Sequence, residues 1–218
     1  MNALPKESHL DVALPDVTTT PRWAKRCLDL ALAVPGVVML APLFALLMIF
    51  IKLDSRGPAF FRQVRIGRQG RPFRIFKFRT MVADAETRGG QITVGADQRI
   101  TRVGQFLRRT KLDELPQLLN VLKGEMTLVG PRPEVPRYVA QYGEAEKPLL
   151  ALTPGITSMA SLQFRRESEL LAAQTDPETF YLTQVMPEKV SIDLAYARRA
   201  TVISDLAVIA KTLTCLMS

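Results

Sequence analysis

The sequence predicts a mixed α/β, membrane-associated monotopic domain, and three observations predict it. One long uncharged apolar run lies near the N-terminus, two β-rich runs flank a glycine-containing turn, and the rest of the chain carries apolar residues at helical spacing. The chain has 218 residues, 47% hydrophobic and 23% charged, with a net charge of +8. This length supports one domain with its own core, and the composition excludes a disordered tail, a collagen-like chain and a disulfide-stapled miniprotein. Mean hydropathy is +0.08 beside a pI near 9.8. Basic soluble chains normally have low hydropathy, so the apolar excess must be concentrated in one place.

It lies between Leu30 and Ile51, 22 residues without a charged side chain. At 1.5 Å per residue that is about 33 Å of straight helix, barely enough for a hydrocarbon core of roughly 30 Å. Pro35-Gly36 and Pro42 interrupt it, and an interior proline removes a backbone hydrogen bond and clashes with the preceding turn. Arg22, Lys25 and Arg26 precede the run, and Lys52, Arg56, Arg62 and Arg65 follow it. The positive-inside rule favours both ends in the cytoplasm, which a re-entrant helix-break-helix over residues 22–52, bent at these prolines, satisfies. A spanning anchor and a buried core helix are the alternatives. A signal peptide is disfavoured, because the run starts thirty residues in and lacks a small-residue cleavage pattern.

Residues 1–21, with Pro5, Pro15, Pro21 and a Thr18-Thr19-Thr20 run, read as a flexible tail. Cys27 and Cys215 are the two cysteines and His9 is the one histidine. A disulfide framework, a zinc site and a Ser-His-Asp triad are all disfavoured, leaving carboxylates, lysines and arginines for chemistry.

From Ala59 to Thr80 the runs AFFRQVRI and FRIFKFRT flank Gly67-Arg68-Gln69-Gly70, the pattern of a β-hairpin. Positions 52–79 hold nine basic residues against one acid, Asp54. Anionic lipid, a phosphate-rich substrate and nucleic acid compete as the partner, and the adjacent apolar run favours the membrane. Lys77 and Arg79 are two apart and share a face of a continuing strand, which makes them the better phosphate candidates.

Residues 84–104 carry Asp84, Glu86, Asp97 and several glycines and read as a mobile loop. A nucleotide-sugar Asp-x-Asp, a Walker lysine motif and a G-x-G-x-x-G fingerprint are all missing from the sequence, so soluble nucleotide-binding folds lose support. The densest segment is Leu107 to Pro133. Leu112, Leu115, Leu118, Leu119 and Leu122 recur at helical spacing, and Pro116 is tolerated in a first turn, so a helix is expected to begin near Asp113. Asp113 and Glu114 then stand at its N-terminus, where capping is the ordinary role of an acid. Arg108, Arg109 and Lys111 lie just upstream. Downstream, Arg132 is fixed between two prolines, which presents its guanidinium at low entropic cost for bidentate phosphate binding. Adjacent carboxylates among arginines near a membrane suggest phosphate-ester chemistry with a metal, an aspartate attacking phosphorus.

In these blocks the chain resembles the bacterial sugar transferases, small monotopic phosphoglycosyl transferases, from about Arg22 to Leu213. The blocks are Lys25-Arg26-x-x-Asp29, Phe60-Phe61-Arg62-Gln63 leading to Lys77-Phe78-Arg79-Thr80-Met81, Leu112-Asp113-Glu114-Leu115-Pro116-Gln117-Leu118 with Asn120-Val121-Leu122-Lys123-Gly124, Val129-Gly130-Pro131-Arg132-Pro133-Glu134, and Thr153-Pro154-Gly155-Ile156-Thr157. Their order and spacing together are specific. The resemblance implies that Asp113 attacks the β-phosphorus of a UDP-sugar, releases UMP and carries a phosphosugar to undecaprenyl phosphate. It implies Mg2+ held by Asp113, with Glu114 as the second catalytic carboxylate and Arg132, Arg108 and Lys77 as phosphate contacts, to which strand parity adds Arg79. It also implies that residues 53–218 form the catalytic domain on the cytoplasmic face of the bacterial inner membrane, in contact with lipid.

Two departures from the family pattern stand out. Ala41-Pro42 replaces the Ser-Pro pair of the family's re-entrant helix, and Ser158-Met159-Ala160-Ser161 followed by Phe164-Arg165-Arg166-Glu167-Ser168 replaces a glycine-rich stretch. Sugar preference is therefore not carried over. The C-terminal run from Glu188 to Leu216 places Val202, Leu206, Ile209 and Leu213 at helical spacing, which suits core packing or an interfacial membrane helix. The competing reading is an inactive membrane-tethered binding or scaffold protein that uses its basic patch. Stacking-aromatic or recognition-helix motifs for nucleic acid are missing from the sequence. The oligomeric state stays open, a homo-oligomer included.

Overall fold

The computed structural model describes residues 20–82, 85 and 97–217. Most of the tail (residues 1–19, with His9) and the loop acids Asp84 and Glu86 lie outside the described residues.

The apolar run forms α1 (Arg22–Asp54), one helix of 33 residues that contains Pro35 and Pro42. The helix is continuous through Pro42, where the sequence reading expected a break, and ends two residues later than the anticipated 22–52. Each proline removes only one amide from the helical ladder, and packing compensates for the loss. Asp29 Oδ1 accepts from Thr127 Oγ1 and the Leu128 amide, each at 2.9 Å. Arg26 donates to the carbonyls of Val121 and Leu122. Lys25 Nζ donates to Asp205 Oδ2 at 2.5 Å. Further along, Phe44, Leu47 and Ile51 enter a core with Ala59, Phe78 and Leu107, and the Phe44 and Phe78 rings meet edge to face at 5.4 Å. The opposite side of α1 exposes Trp23, Val34, Val38, Met39, Ile49, Phe50 and Leu53.

The hairpin forms where the sequence places it. Strand β1 (Phe60–Ile66) pairs antiparallel with β2 (Pro72–Phe78), with Phe61 opposite Lys77 and Arg65 opposite Phe73. Gln69 (φ 56°) and Gly70 (φ 71°) turn the chain in the left-handed region. Phe61, Gln63 and Arg65 therefore share one face with Lys77, because paired residues point to the same side. After β2 come α2 (Arg102–Arg109), a 3-10 turn (Leu112–Gln117) and α3 (Leu118–Lys123), which Gly124 closes at φ 80°. Asn120 locks α3 onto the hairpin, since its Oδ1 accepts from the Phe76 amide and its Nδ2 donates to the Arg74 carbonyl, both at 2.9 Å.

A second sheet pairs β3 (Thr127–Val129) in parallel with β4 (Gly155–Thr157). Gly130 and Gly155 cross backbone to backbone: a Cβ on Gly155 would lie 2.1 Å from the Gly130 nitrogen, so no side chain fits. Beyond β3 come α4 (Pro136–Val139) and a 3-10 turn (Lys147–Ala151); beyond β4 come α5 (Met159–Gln163), α6 (Glu167–Ala172) and α7 (Pro177–Phe180). A π-helical turn (Tyr181–Val185) then leads into α8 (Met186–Ala197) and α9 (Val202–Met217). Tyr138, Tyr142, Leu171, Tyr181, Val185 and Val190 belong to the core of this half.

On α9 the anticipated apolar stripe is divided, with Val202 and Ile209 half-buried. Asp205 and Val208 are buried, whereas Leu206 and Leu213 are exposed. Asp205 turns inward because it meets Lys25 and the Tyr196 hydroxyl, the latter at 2.6 Å.

Candidate active site

Lys111 adopts a left-handed conformation (φ 57°) and the chain then winds into the 3-10 turn, with Asp113 and Glu114 in its first turn. The α-helix expected from Asp113 begins only at Leu118, after the 3-10 turn that contains Pro116, which has no amide to donate to the Leu112 carbonyl and so cannot close an α-helical bond there. The dyad is thus held by its neighbours more than by a helix terminus.

The two carboxylates have different surroundings. Glu114 is saturated: Lys77 Nζ donates to its Oε1 at 2.8 Å, Arg132 Nη1 to its Oε2 at 3.1 Å, and Arg132 Nη2 to its Oε1. Burial would raise its pKa, but the Arg132 and Lys77 charges and their hydrogen bonds hold it well below the ordinary glutamate value. The same pairing raises the pKa of Arg132. Asp113 is 8% exposed, and among the described residues its Oδ1 has no hydrogen-bond partner. Burial, then the adjacent Glu114 charge, pushes its carboxyl above 3.8, against the pull of Lys77, Lys111 and Arg108. The site thus pairs one locked carboxylate with one whose acceptor oxygen is free, surrounded by cations.

Lys77, Arg132 and Glu114 are joined by hydrogen bonds, and the charges of Lys77, Arg108 and Glu114 act on Asp113. Burial lowers the Lys77 pKa, with Glu114 opposing. Arg108, on the last turn of α2, donates its Nε to Thr80 Oγ1 at 3.0 Å, and its charge acts on Asp113.

Arg79 is the exception. It lies one residue past β2, and its Nη2 donates to the carbonyls of Ile51 (3.2 Å) and Ser55 (2.6 Å) and to Ser55 Oγ (2.9 Å), closing the C-terminus of α1. Among the described residues no hydrogen bond or ion pair joins it to Asp113 or Glu114. The strand ends at Phe78, so the parity that grouped Arg79 with Lys77 no longer applies.

Behind Arg132 stands a layer that sequence reasoning left unassigned. Arg65 Nη1 donates to the Pro133 carbonyl at 3.1 Å, its Nη2 donates to Gln63 Oε1 at 2.7 Å, and the Ile66 amide donates to the Glu134 carbonyl at 2.9 Å. The Glu134 carboxylate accepts from the Tyr181 hydroxyl. Lys189 pairs with Glu167 at 2.6 Å and lies 5.5 Å from the Tyr181 ring centroid. The signal for Arg65 was available in its strand parity with Lys77. Tyr181, Glu167 and Lys189 carry no local signal.

Among the described residues no group of three or more His, Cys, Asp or Glu gathers to hold a metal. Among the described residues the candidate ligand at this site is the unpartnered Asp113 Oδ1. Mg2+ is often bound through one or two carboxylates plus substrate phosphates, so a single hard oxygen at a phosphate site fits it.

A buried unpaired carboxylate beside a bidentate carboxylate–arginine pair, set on a small hairpin and a long apolar helix, defines an anion-handling site next to an apolar surface. The profile of the family described as "Bacterial sugar transferase" matches residues 20–218, and the chain belongs to that family. It is 34% identical over 213 residues to the UDP-glucose:undecaprenyl-phosphate glucose-1-phosphate transferase of Escherichia coli K12, covering 96% of this chain and 43% of that protein. It is 36% identical over 205 residues to the Caulobacter vibrioides protein of the same name, covering 89% of this chain and 70% of that one. It is 42% identical over 144 residues to the UDP-N-acetylgalactosamine-undecaprenyl-phosphate N-acetylgalactosaminephosphotransferase of Aeromonas hydrophila, covering 64% of this chain and 34% of that protein. The chain thus spans between about a third and 70% of the length of these relatives.

Proposed function

We propose that this chain transfers a sugar 1-phosphate from a UDP-sugar to undecaprenyl phosphate through a covalent aspartyl intermediate, as a first membrane step of bacterial glycan assembly. The names of the relatives support the donor and acceptor classes. The contrast within the dyad supports the assignment of roles and carries the reading. Glu114 is fully engaged, whereas Asp113 keeps an unpartnered oxygen and a raised pKa, which makes it the better nucleophile once ionised.

In the first half-reaction an Asp113 carboxylate oxygen bonds to the β-phosphorus while the bond to the α–β bridging oxygen breaks, and UMP leaves with that electron pair. In the second, a phosphate oxygen of undecaprenyl phosphate bonds to the same phosphorus, the bond to Asp113 breaks, and the carboxylate is regenerated. Arg132, Lys77 and Arg108 stabilise charge on the transferring group. Glu114 holds Arg132 and Lys77 until the diphosphate takes part of their hydrogen bonding. Mg2+, held by Asp113, would neutralise the diphosphate charge.

The reading places the catalytic domain on the cytoplasmic face of the inner membrane. The exposed apolar side of α1 and its cationic flanks support lipid contact. The scaffold alternative loses its main support, because much of its basic patch is already engaged: Lys77 by Glu114, Arg65 by Pro133, Arg68 by the Ala151 carbonyl, Arg79 by Ile51 and Ser55.

The test is nucleotide release from UDP-glucose, UDP-N-acetylgalactosamine and a wider donor panel, with Mg2+ and undecaprenyl phosphate, by protein in nanodiscs. UMP release that Asp113→Asn abolishes, with a phosphosugar adduct on Asp113 by mass spectrometry when acceptor is omitted, is the expected result. UDP release would mean ordinary glycosyl transfer and refute the aspartyl route. Activity unchanged in Asp113→Asn would refute it equally.

A further inference from the structure

The role of Arg132 depends on where its backbone is held. The Pro131-Arg132-Pro133 segment offers only one amide of its own, so few hydrogen bonds can fix it. One flank is tied to the second sheet, where the Gly155 amide donates to the Pro131 carbonyl and the Gly130 amide to the Thr157 carbonyl, each at 2.9 Å. The other flank is tied to β1, through Arg65 Nη1 on the Pro133 carbonyl and the Ile66 amide on the Glu134 carbonyl. Arg65 is itself fixed by Gln63 Oε1.

A buried guanidinium that grips a backbone carbonyl is costly to desolvate, and a second arginine nearby adds repulsion. Arg65 carries both costs, because Arg132 is among the charges that act on it and its Nε is buried with no partner among the described residues. Glu134 and Glu114 are the acids that balance it. Packing alone would favour an apolar side chain here.

We propose that Arg65 is a positioning residue: it pins the main chain after Arg132 to strand β1 and thereby sets the Arg132 guanidinium against Glu114 and the transferring phosphate. The kinetic consequence rests on the phosphoryl-transfer function proposed above, whereas the pinning does not.

Two readouts separate these. Hydrogen exchange on Arg65→Met, which keeps the bulk and removes both hydrogen bonds, reports the pinning. The Ile66 amide, which bonds the Glu134 carbonyl, is expected to exchange at least tenfold faster, with the hairpin amides of Gln63 and Ile75 unchanged. Unchanged exchange at Ile66 overturns the proposal, whatever the enzyme does.

The kinetic readout is a double-mutant cycle with Arg132→Ala, which compares kcat and KM for the donor. Misplacing a catalytic group by about 1 Å can cost roughly a hundredfold. Arg65→Met is expected to lower kcat/KM by about ten- to a hundredfold in the wild-type background and less than twofold when Arg132 is already alanine. Equal losses in both backgrounds would make Arg65 an independent contact and overturn the positioning role. Should Arg65→Met fail to fold, Arg65→Lys and Gln63→Leu carry the same exchange and cycle tests. A wild-type protein that transfers phosphosugar from no donor fails the proposed function, while the exchange data still judge the pinning.

Discussion

Asp113 and Asp193 are both buried carboxylates raised by desolvation, with opposite uses. In the proposed mechanism attack by Asp113 needs the ionised form, so turnover is expected to fall as pH drops through its raised pKa, with the acid limb above that of an exposed aspartate. Lys77 opposes the rise. Lys77→Met therefore moves the acid limb of the kcat/KM profile to higher pH, beyond any loss of rate; a limb that stays put or moves down would refute this electrostatic account. Asp193 lies away from the dyad, accepts from the buried Ala160 amide at 3.0 Å, and is pushed up to about 6. A folded-state value above the unfolded one means stability is fully present below about 3.8 and is lost as pH rises through about 6. The cost of keeping the charge at pH 8 is at most roughly 3 kcal/mol. Asp193→Asn keeps an acceptor without the charge, so its melting temperature exceeds wild type at pH 8 and the gap closes toward pH 4. A lower melting temperature at pH 8 would show that the ionised form is needed. Sequence blocks led to Asp113, Glu114, Lys77, Arg108 and Arg132, but not to Arg65 or Asp193. Their meaning depends on partners such as Pro133 and Ala160, which are distant in sequence.

At the scale of elements, local rules worked where the controlling interactions are local. The hairpin was legible because alternation and a glycine-containing turn fix a short antiparallel pair. The dyad helix was misjudged because Pro116 imposes a 3-10 turn despite the leucine spacing. On α9, periodicity found a stripe and gave it no direction; buried Asp205, paired with Lys25 and Tyr196, decides which side faces in. The Lys25–Asp205 pair therefore docks α9 on α1 and can be tested as such. Asp205 is 1% exposed but the Lys25 side chain is 24% exposed, so removing Lys25 leaves a buried acceptor without its cation at a cost of about 1–3 kcal/mol. Lys25→Met should lower the thermal midpoint in detergent, and adding Asp205→Asn should recover much of the loss. A single variant that melts like wild type would mean that the pair contributes nothing to docking.

For the molecule as a whole, the question is how a 33-residue helix, about 50 Å long, meets a bilayer. One catalytic body grips it near both ends: Lys25, Arg26 and Asp29 bond to Asp205, Val121, Leu122, Thr127 and Leu128, and the Ile51 carbonyl with Ser55 receives Arg79. A helix that crossed the hydrocarbon region would carry one of these charged attachments into lipid or to the far side, at a cost of several kcal/mol for each group left unsatisfied. Immersion of the exposed side alone, from Val34 through Met39 to Phe50, leaves both attachments with the body in water. On α9, tied to the start of α1 through Lys25 and Asp205, Ile203, Leu206 and Leu213 are exposed as well. The expected outcome under the proposed function is that both ends of α1 lie on one side of the membrane, the cytoplasmic one, which site-directed labelling can check. Cys27 is exposed near one end of α1, and Arg56 is exposed just past the other. In a Cys215→Ser background, a membrane-impermeant maleimide should modify Cys27, or with Cys27→Ser the cysteine introduced by Arg56→Cys, in inverted vesicles and neither in spheroplasts. Modification of one position from each side would establish a spanning helix and overturn the one-sided arrangement.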